Sequence, residues 1–340
     1  MSIVISLFVL AVLIFLPIIG VEVLDWQSTF AIYIPYVAIA IFLLGMLYRM
    51  FRWAKSAVPF RIPTTCGQHK SLPWIKGDEL ENPSNNFAVV GRMLLEILLF
   101  RSLWRNQRFE LEEDRKRLRF DGNRYLWLAG LAFHWSLFII IFRHANRILM
   151  NPEIPYIYDI VNWFDTILQP FDIFFTYSIL YITDLVIVVA LTFLFFRRIV
   201  SPQMRYISLL SDYFALLLIG GVAISGILMA MFWSVDFVNV KELAIGVLSF
   251  DPDTALLTNI GLAFYVHITL ICALLIYFPF SKMVHLGGVF LSPTRNLANT
   301  NRVQRHVNPW DYPVEVHTYQ EYEDEFREYM KKSGLPLEKE

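Results

Sequence analysis

Six stretches of the chain are apolar on every side and almost free of charge, each near the 20 or so residues that a helix needs to cross a bilayer core. They run Met1–Val21, Trp26–Tyr48, Tyr125–Phe142, Ile173–Phe196, Tyr213–Trp233 and Thr254–Ser281, and only the fourth holds an acid, Asp184. A seventh segment, Phe87–Leu103, has a different pattern. It carries leucines at 94, 95, 98 and 99 on one side, with Arg92 and Glu96 one helical turn apart on the other. That two-faced pattern predicts a helix lying in the interface rather than crossing it. The chain therefore reads as an all-α membrane protein with six transmembrane helices. Two N-terminal spans occupy 1–48, a cytoplasmic insert 49–124 holds the interfacial helix 87–103, a four-helix transmembrane domain covers 125–285, and a tail follows over 286–340.

Composition agrees: 56% of residues are hydrophobic and 17% charged, against about 25% charged in soluble domains. The charges that remain are bunched, so the net charge of −1 says nothing about partners. Lys and Arg number 15 in Arg49–Arg124, 3 in the Arg197–Asp212 loop and 8 from Lys282 onward, while the other connections hold only Arg143, Arg147 and Lys241. Basic residues near span ends stay on the cytoplasmic side, which puts both termini in the cytoplasm of an inner-membrane protein. The N-terminus lacks a basic region and a small-residue cleavage site, so the first span is expected to be retained. Two cysteines, Cys66 and Cys272, cannot build an iron–sulfur site. The insert opens on Pro-rich sequence, and the tail carries a capping box at Thr318–Glu321 with Gly334 four turns later. No phosphate loop, nucleophile elbow, zinc motif or nucleic-acid motif is found.

The candidate chemistry lies in four histidines, His134 and His144 on the third span and His267 and His285 on the sixth. Ionisable side chains inside a bilayer are costly and by default functional. Two antiparallel helices with two histidines each can hold two bis-histidine haems, which by depth pairs His144 with His267 (outer) and His134 with His285 (inner). The 18 residues from His267 to His285 make five whole turns of an ideal helix, placing both on one face. The match in depth is imperfect: the 10-residue step on the third span rises about 15 Å and the 18-residue step about 27 Å, with Pro279 available to break the longer one. Glycines at 220, 221, 226, 287 and 288 would let macrocycles approach the backbone. Single intramembrane histidines are commonly packing residues, and His285, near Lys282, also suits an interfacial position. His69, His306 and His317 sit in polar segments and read as surface residues.

The stretches Phe196–Arg205, Tyr265–Ile268 and Phe278–His285, together with both histidine spacings, resemble the gamma (membrane cytochrome b) subunit of respiratory nitrate reductase over about Tyr125–His285. A second resemblance covers nearly the whole chain. Val58–Lys76, Gly91–Leu103, Arg205–Phe214, Val289–Thr300 and Arg305–Tyr312 look like the M subunit of the dissimilatory-sulfite-reductase-associated MKJOP complex. This implies two haems b, menaquinol as substrate, a cytoplasmic iron–sulfur partner similar to heterodisulfide reductase, and further membrane, iron–sulfur and multihaem c-type subunits in sulfate or sulfite respiration. In the nitrate reductase relative the quinol site adjoins the outer haem, which here is the region of Arg143, His144 and Arg147. The relative's quinol-site lysine has no equivalent at Phe174–Phe175. Arg143 and Asp184 are the quinol-site candidates, Asp184 as proton acceptor; Asp184 equally suits an ion pair with Arg143, and Arg143 a haem propionate.

The expectation is a quinol-oxidising electron-transfer subunit. Quinone reduction, the reverse direction, fits the same residues. So does a haem-free anchor or proton-translocating subunit in which the histidines and Asp184 move protons.

Overall fold

The computed structural model describes residues 1–56, 70, 74–105, 108–114, 116–149, 180–233, 235–292, 294–299 and 316–338. Helix α1 (Ser2–Glu22) keeps Pro17 in its interior, and its outward residues are large and apolar, Phe8 being 68% exposed. A chain with Asp25 at φ 53° turns it back, and Gly20 gives its place to the ring of Phe30. A π turn (Thr29–Tyr33) then leads into α2 (Ile34–Ala54).

Four helices form the main bundle: α5 (Arg124–Leu149), α6 (Ile182–Val200), α8 (Leu210–Met231) and α10 (Leu262–Tyr277). Helix α6 packs between α5 and α8, and α8 packs between α6 and α10. Ile187, Leu191 and Ile219 fill the interior with Phe133, Leu137 and Leu216 around them. Helices α1 and α2 lean on α10 from outside, and α1 also lies on α8. Five helical segments, Ser2–Glu22, Thr29–Ala54, Arg124–Ile148, Leu210–Met231 and Leu262–Phe280, are long and apolar enough to cross a membrane. The sixth, α6, has 19 residues and carries Asp184, Arg197 and Arg198 at its ends. The chain is thus a multi-pass, all-α membrane protein.

Several boundaries differ from the sequence pattern. The fourth span was expected over 173–196, but its described helix begins at Ile182; residues 150–179 lie outside the described residues. The sixth was expected to start at Thr254, where the chain instead makes a 3-10 turn (Thr254–Asn259) capped by Asp253, and the helix starts only after Gly261. Its end differs more. Pro279 cannot donate to the helix, so α10 stops at Tyr277 and breaks into short 3-10 turns around an extended Ser281. Arg49 on α2 donates to the Pro279 carbonyl at 3.0 Å, taking up an acceptor that the break leaves open. His285 then opens a separate one-turn helix, α11 (His285–Gly288), so it does not share a continuous helix with His267.

Two elements were not anticipated. A hairpin, β1 (Arg108–Glu112) with β2 (Arg117–Asp121), pairs Leu111 with Leu118 inside the insert. Helix α9 (Phe237–Leu248), N-capped by Asp236, packs on α5 and buries Val240, Leu243 and Val247.

Helix α3 (Asn86–Leu99) has 14 residues, about 21 Å and too short to cross a bilayer. Leu94, Leu98 and Leu99 are exposed while Arg92 and Glu96 are buried. After Phe100 comes α4 (Arg101–Arg105), then, past the bundle's short linker α7 (Pro202–Ile207), the tail helix α12 (Tyr319–Lys332).

The capping box of α12 forms: the Glu321 carboxylate accepts from the Thr318 amide at 2.7 Å, and the Thr318 hydroxyl accepts from the Glu321 amide at 3.3 Å. Gly334, at φ 66°, closes the helix in the left-handed conformation that glycine takes without strain. The bonds to Thr318 hold the Glu321 carboxyl below its ordinary value of 4.5. Because the folded value is the lower one, the cap's stabilisation is present above the unfolded value and is lost as pH falls through the folded one. First-turn amides of α12 are expected to exchange faster, relative to intrinsic rates, as pH drops below about 4.5. Protection unchanged between about pH 6 and about pH 3 would show that the cap carries no such linkage.

Candidate haem-binding site

Helix α5 carries His134 and His144 ten residues apart, and α10 with α11 carries His267 and His285. All four rings are held through the same nitrogen. Nδ1 of His134 donates to the Gly130 carbonyl at 2.8 Å, that of His144 to Ile140 at 2.8 Å, and that of His285 to Lys282 at 2.9 Å. A carbonyl only accepts, so the proton sits on Nδ1 and the Nε2 lone pair is left for another purpose. Nδ1 of His267 lies 2.9 Å from the Ser225 hydroxyl, which itself donates to the Val222 carbonyl at 3.0 Å. Ser225 therefore accepts from His267 and sets the same tautomer. This is how metal-binding imidazoles are oriented, one nitrogen fixed by a carbonyl or hydroxyl and the other presented to the metal.

The structure brings His134 and His285 together, with ring centres 6.1 Å apart and planes at 82°. A first-row metal sits about 2 Å from an imidazole nitrogen, so two opposed rings on one iron have centres about 6 Å apart. The residues present fit a bis-histidine iron at this position. The Pro279 break makes this possible, because it shortens the ideal 18-residue rise that had left the depths mismatched. Of the other pair, His267 is buried on α10 while His144 lies exposed on α5. A Cβ added at Gly226 would stand 3.2 Å from the His267 ring, so a side chain there would press on that ring. Gly287 and Gly288 instead face Met46, Met50 and Trp53 of α2. Among the described residues no three His, Cys, Asp or Glu side chains converge on one point.

Around His134 the insert between α2 and α5 reaches into the bundle. Phe100 and Phe133 both meet the His134 ring edge-on at 4.8 Å. Phe100 sits at φ 49°, an uncommon conformation for a non-glycine residue, where it ends α3 and turns its ring onto the histidine. Two indoles of α5 hold the same corner: Trp127 donates to the Leu99 carbonyl at 2.7 Å and Trp135 to Leu98 at 3.0 Å. The segment bearing His285 is anchored separately. Buried Asp212, at the start of α8, accepts from Lys282 at 2.7 Å, and the Lys282 carbonyl in turn holds His285.

Insert and tail are sewn together by the charged face of α3. Glu96 pairs with Arg295 at 2.9 Å, Arg92 donates to the Thr294 carbonyl at 3.0 Å, and Asn299 donates to the Asn82 side chain at 2.9 Å. Burial first, and then Arg295, push the Arg92 guanidinium down from its ordinary value.

The two quinol-site candidates meet each other. Arg143 binds Asp184 at 2.5 Å and Thr183 at 3.3 Å, and its guanidinium lies 4.0 Å over the Tyr181 ring. The second oxygen of Asp184 accepts from the Tyr181 amide at 3.2 Å. Arg147 donates to the Tyr181 hydroxyl. The Asp184 carboxylate is thus committed to an ion pair and a helix start. Nothing in the sequence marks Tyr181 as part of this cluster. Phe174, Phe175, His69 and His306 lie outside the described residues; His317 is exposed.

Residues 86–306 match the nitrate reductase gamma subunit family. Two curated relatives are both named Hdr-like menaquinol oxidoreductase cytochrome b-like subunit. The one from Archaeoglobus fulgidus is 44% identical over 84% of both chains. The one from Archaeoglobus profundus is 38% identical over 82% of this chain and 81% of its own.

Proposed function

Because the chain belongs to the nitrate reductase gamma subunit family, we propose that it is the di-haem cytochrome b subunit of a membrane complex that oxidises menaquinol, with His144/His267 and His134/His285 as the haem ligands. The single observation that carries the reading is the set of four imidazoles, each fixed through Nδ1 and each presenting Nε2. A bound haem supplies one-electron redox chemistry. The chain's own residues orient the ligands, and Ile187, Leu191 and Ile219 form an apolar interior within the same bundle.

In this reading electrons leave toward a cytoplasmic iron–sulfur subunit related to heterodisulfide reductase, in sulfate or sulfite respiration. The relatives' printed name supports menaquinol and a heterodisulfide-reductase-like assembly. The docking face is the sewn insert and tail, which stand next to His134 through Phe100. Both termini are on that cytoplasmic side, in keeping with the basic residues along it.

The test is a reduced-minus-oxidised spectrum and haem assay of the chain purified from membranes. A b-type α band, about two haems per chain and reduction by a menaquinol analogue are expected. A preparation with no α band would overturn the haem assignment, and copurification with a molybdenum reductase instead of an iron–sulfur subunit would overturn the partner.

A further inference from the structure

One face of α2 is shaped to receive the broken segment that carries His285. Phe42, Gly45, Met46, Arg49, Met50 and Trp53 recur at three- and four-residue steps, so they form a single stripe along that helix. Leu43, Leu44, Leu47 and Tyr48, between them, are exposed. The stripe meets the segment along its length. Phe42 meets Phe278 edge-on at 5.5 Å, and a Cβ added at Gly45 would stand 2.7 Å from Cβ of Pro279. One turn on, Arg49 donates from Nε to the Pro279 carbonyl, and its guanidinium lies 6.0 Å from the Trp53 ring centre. Met46, Met50 and Trp53 then face Gly287 and Gly288, just past His285.

The Arg49 bond matters because of what the break does to one carbonyl. In a continuous helix the Pro279 carbonyl would accept from the Met283 amide. That amide donates instead to the Ser281 hydroxyl at 3.1 Å. Arg49 supplies the replacement donor at 3.0 Å, beside a fully buried proline. A buried carbonyl left without a donor is costly, and the donor that a helix would give it is the Met283 amide. Taking that amide back would rewind the chain toward a helix and carry His285 away from His134.

We propose that Arg49 is a positioning residue for His285: α2 grips the Pro279 break with Arg49 and Gly45 and so holds this histidine at the ring distance that one iron requires. The proposal rests on the His134/His285 reading above. Helix α2 precedes residues 86–306, the part that matches the nitrate reductase gamma subunit family, so the ligand's place is set from outside that region.

The experiment uses the whole complex and reads haem per chain, the balance of low-spin and high-spin haem, and carbon monoxide binding by the reduced protein. A haem with both histidines in place leaves no position for carbon monoxide, whereas one that has lost His285 binds it. Arg49→Met removes the donor and keeps much of the length. It is expected to raise carbon monoxide-reactive haem at least about tenfold, the effect of losing one charge-assisted hydrogen bond, while one haem stays low-spin. Arg49→Lys, which can still donate, should restore most of the low-spin signal. Gly45→Val should act like Arg49→Met by pushing Pro279 off α2. Leu44→Ala, on the exposed face, should change nothing. In the His285→Ala background Arg49→Met should have no further effect, since the ligand it positions is gone. Two low-spin haems in Arg49→Met would overturn the proposal. So would damage to both haems alike, or further haem loss in the His285→Ala background, which would make Arg49 a general brace. A His285→Ala chain that keeps two low-spin haems refutes the histidine pairing itself, and the role given to Arg49 falls with it.

Discussion

Replacing His285 with alanine is expected to remove one of two haems and leave the other in place. The haem content should fall from about two to about one per chain, and quinol-driven reduction of the cytoplasmic acceptor should fall by at least about a hundredfold. His134→Ala should have the same effect. The double variant should be no worse than either single one, because two ligands of one iron act as a unit and their losses do not add. The basis is the 6.1 Å between the two rings and the Nδ1 anchors on Gly130 and Lys282. His267→Ala gives the contrast: it should remove the other haem, so combining it with His285→Ala should leave none. The measurement is haem per chain in detergent, with circular dichroism to show that the helices remain. A chain that keeps two haems without His285 refutes this pairing.

The sequence alone makes the four histidines conspicuous, because imidazoles in apolar spans are costly and few. It also orders them by depth. It does not show how His285 reaches His134. An ideal helix carries it too far, and Pro279 signals a break without stating its direction. The correction depends on Ser281, Arg49 and the Asp212–Lys282 pair, which come from three parts of the chain and meet only in the fold. Ser225 and Phe100 are hidden for the same reason: a serine among small residues on α8 and a phenylalanine at a helix end look ordinary until their neighbours are known. Helix α3 is an intermediate case. Its two faces are legible in the spacing, yet the sequence does not say that the charged face is buried, because its partners Thr294 and Arg295 lie about two hundred residues away. Helix α9 was legible in principle, with Asp236 as cap and Val240, Leu243 and Val247 at helical spacing, but its apolar run is short and reads as a connection.

The Arg143–Asp184 pair decides between a proton acceptor and a structural brace. Removing one member of a buried pair strands the other charge, which costs about 3–5 kcal/mol, whereas removing both costs less. The side chains are 7% and 14% exposed, so little water is at hand to substitute for the lost partner. Asp184 also accepts from the Tyr181 amide, a helix-start bond worth about 1 kcal/mol. Asp184→Ala is therefore expected to be the more harmful single change, lowering stability by about 4 kcal/mol, with Arg143→Ala close behind. The double variant should recover part of that loss. The measure is the denaturant midpoint of haem release, with quinol oxidation assayed on whatever complex remains loaded. A brace predicts that Asp184→Asn, which keeps the Tyr181 bond, loses stability but retains turnover with an unchanged pH profile. If Asp184→Asn is as stable as the parent yet loses turnover at least about a hundredfold, the carboxylate is a base and not a brace.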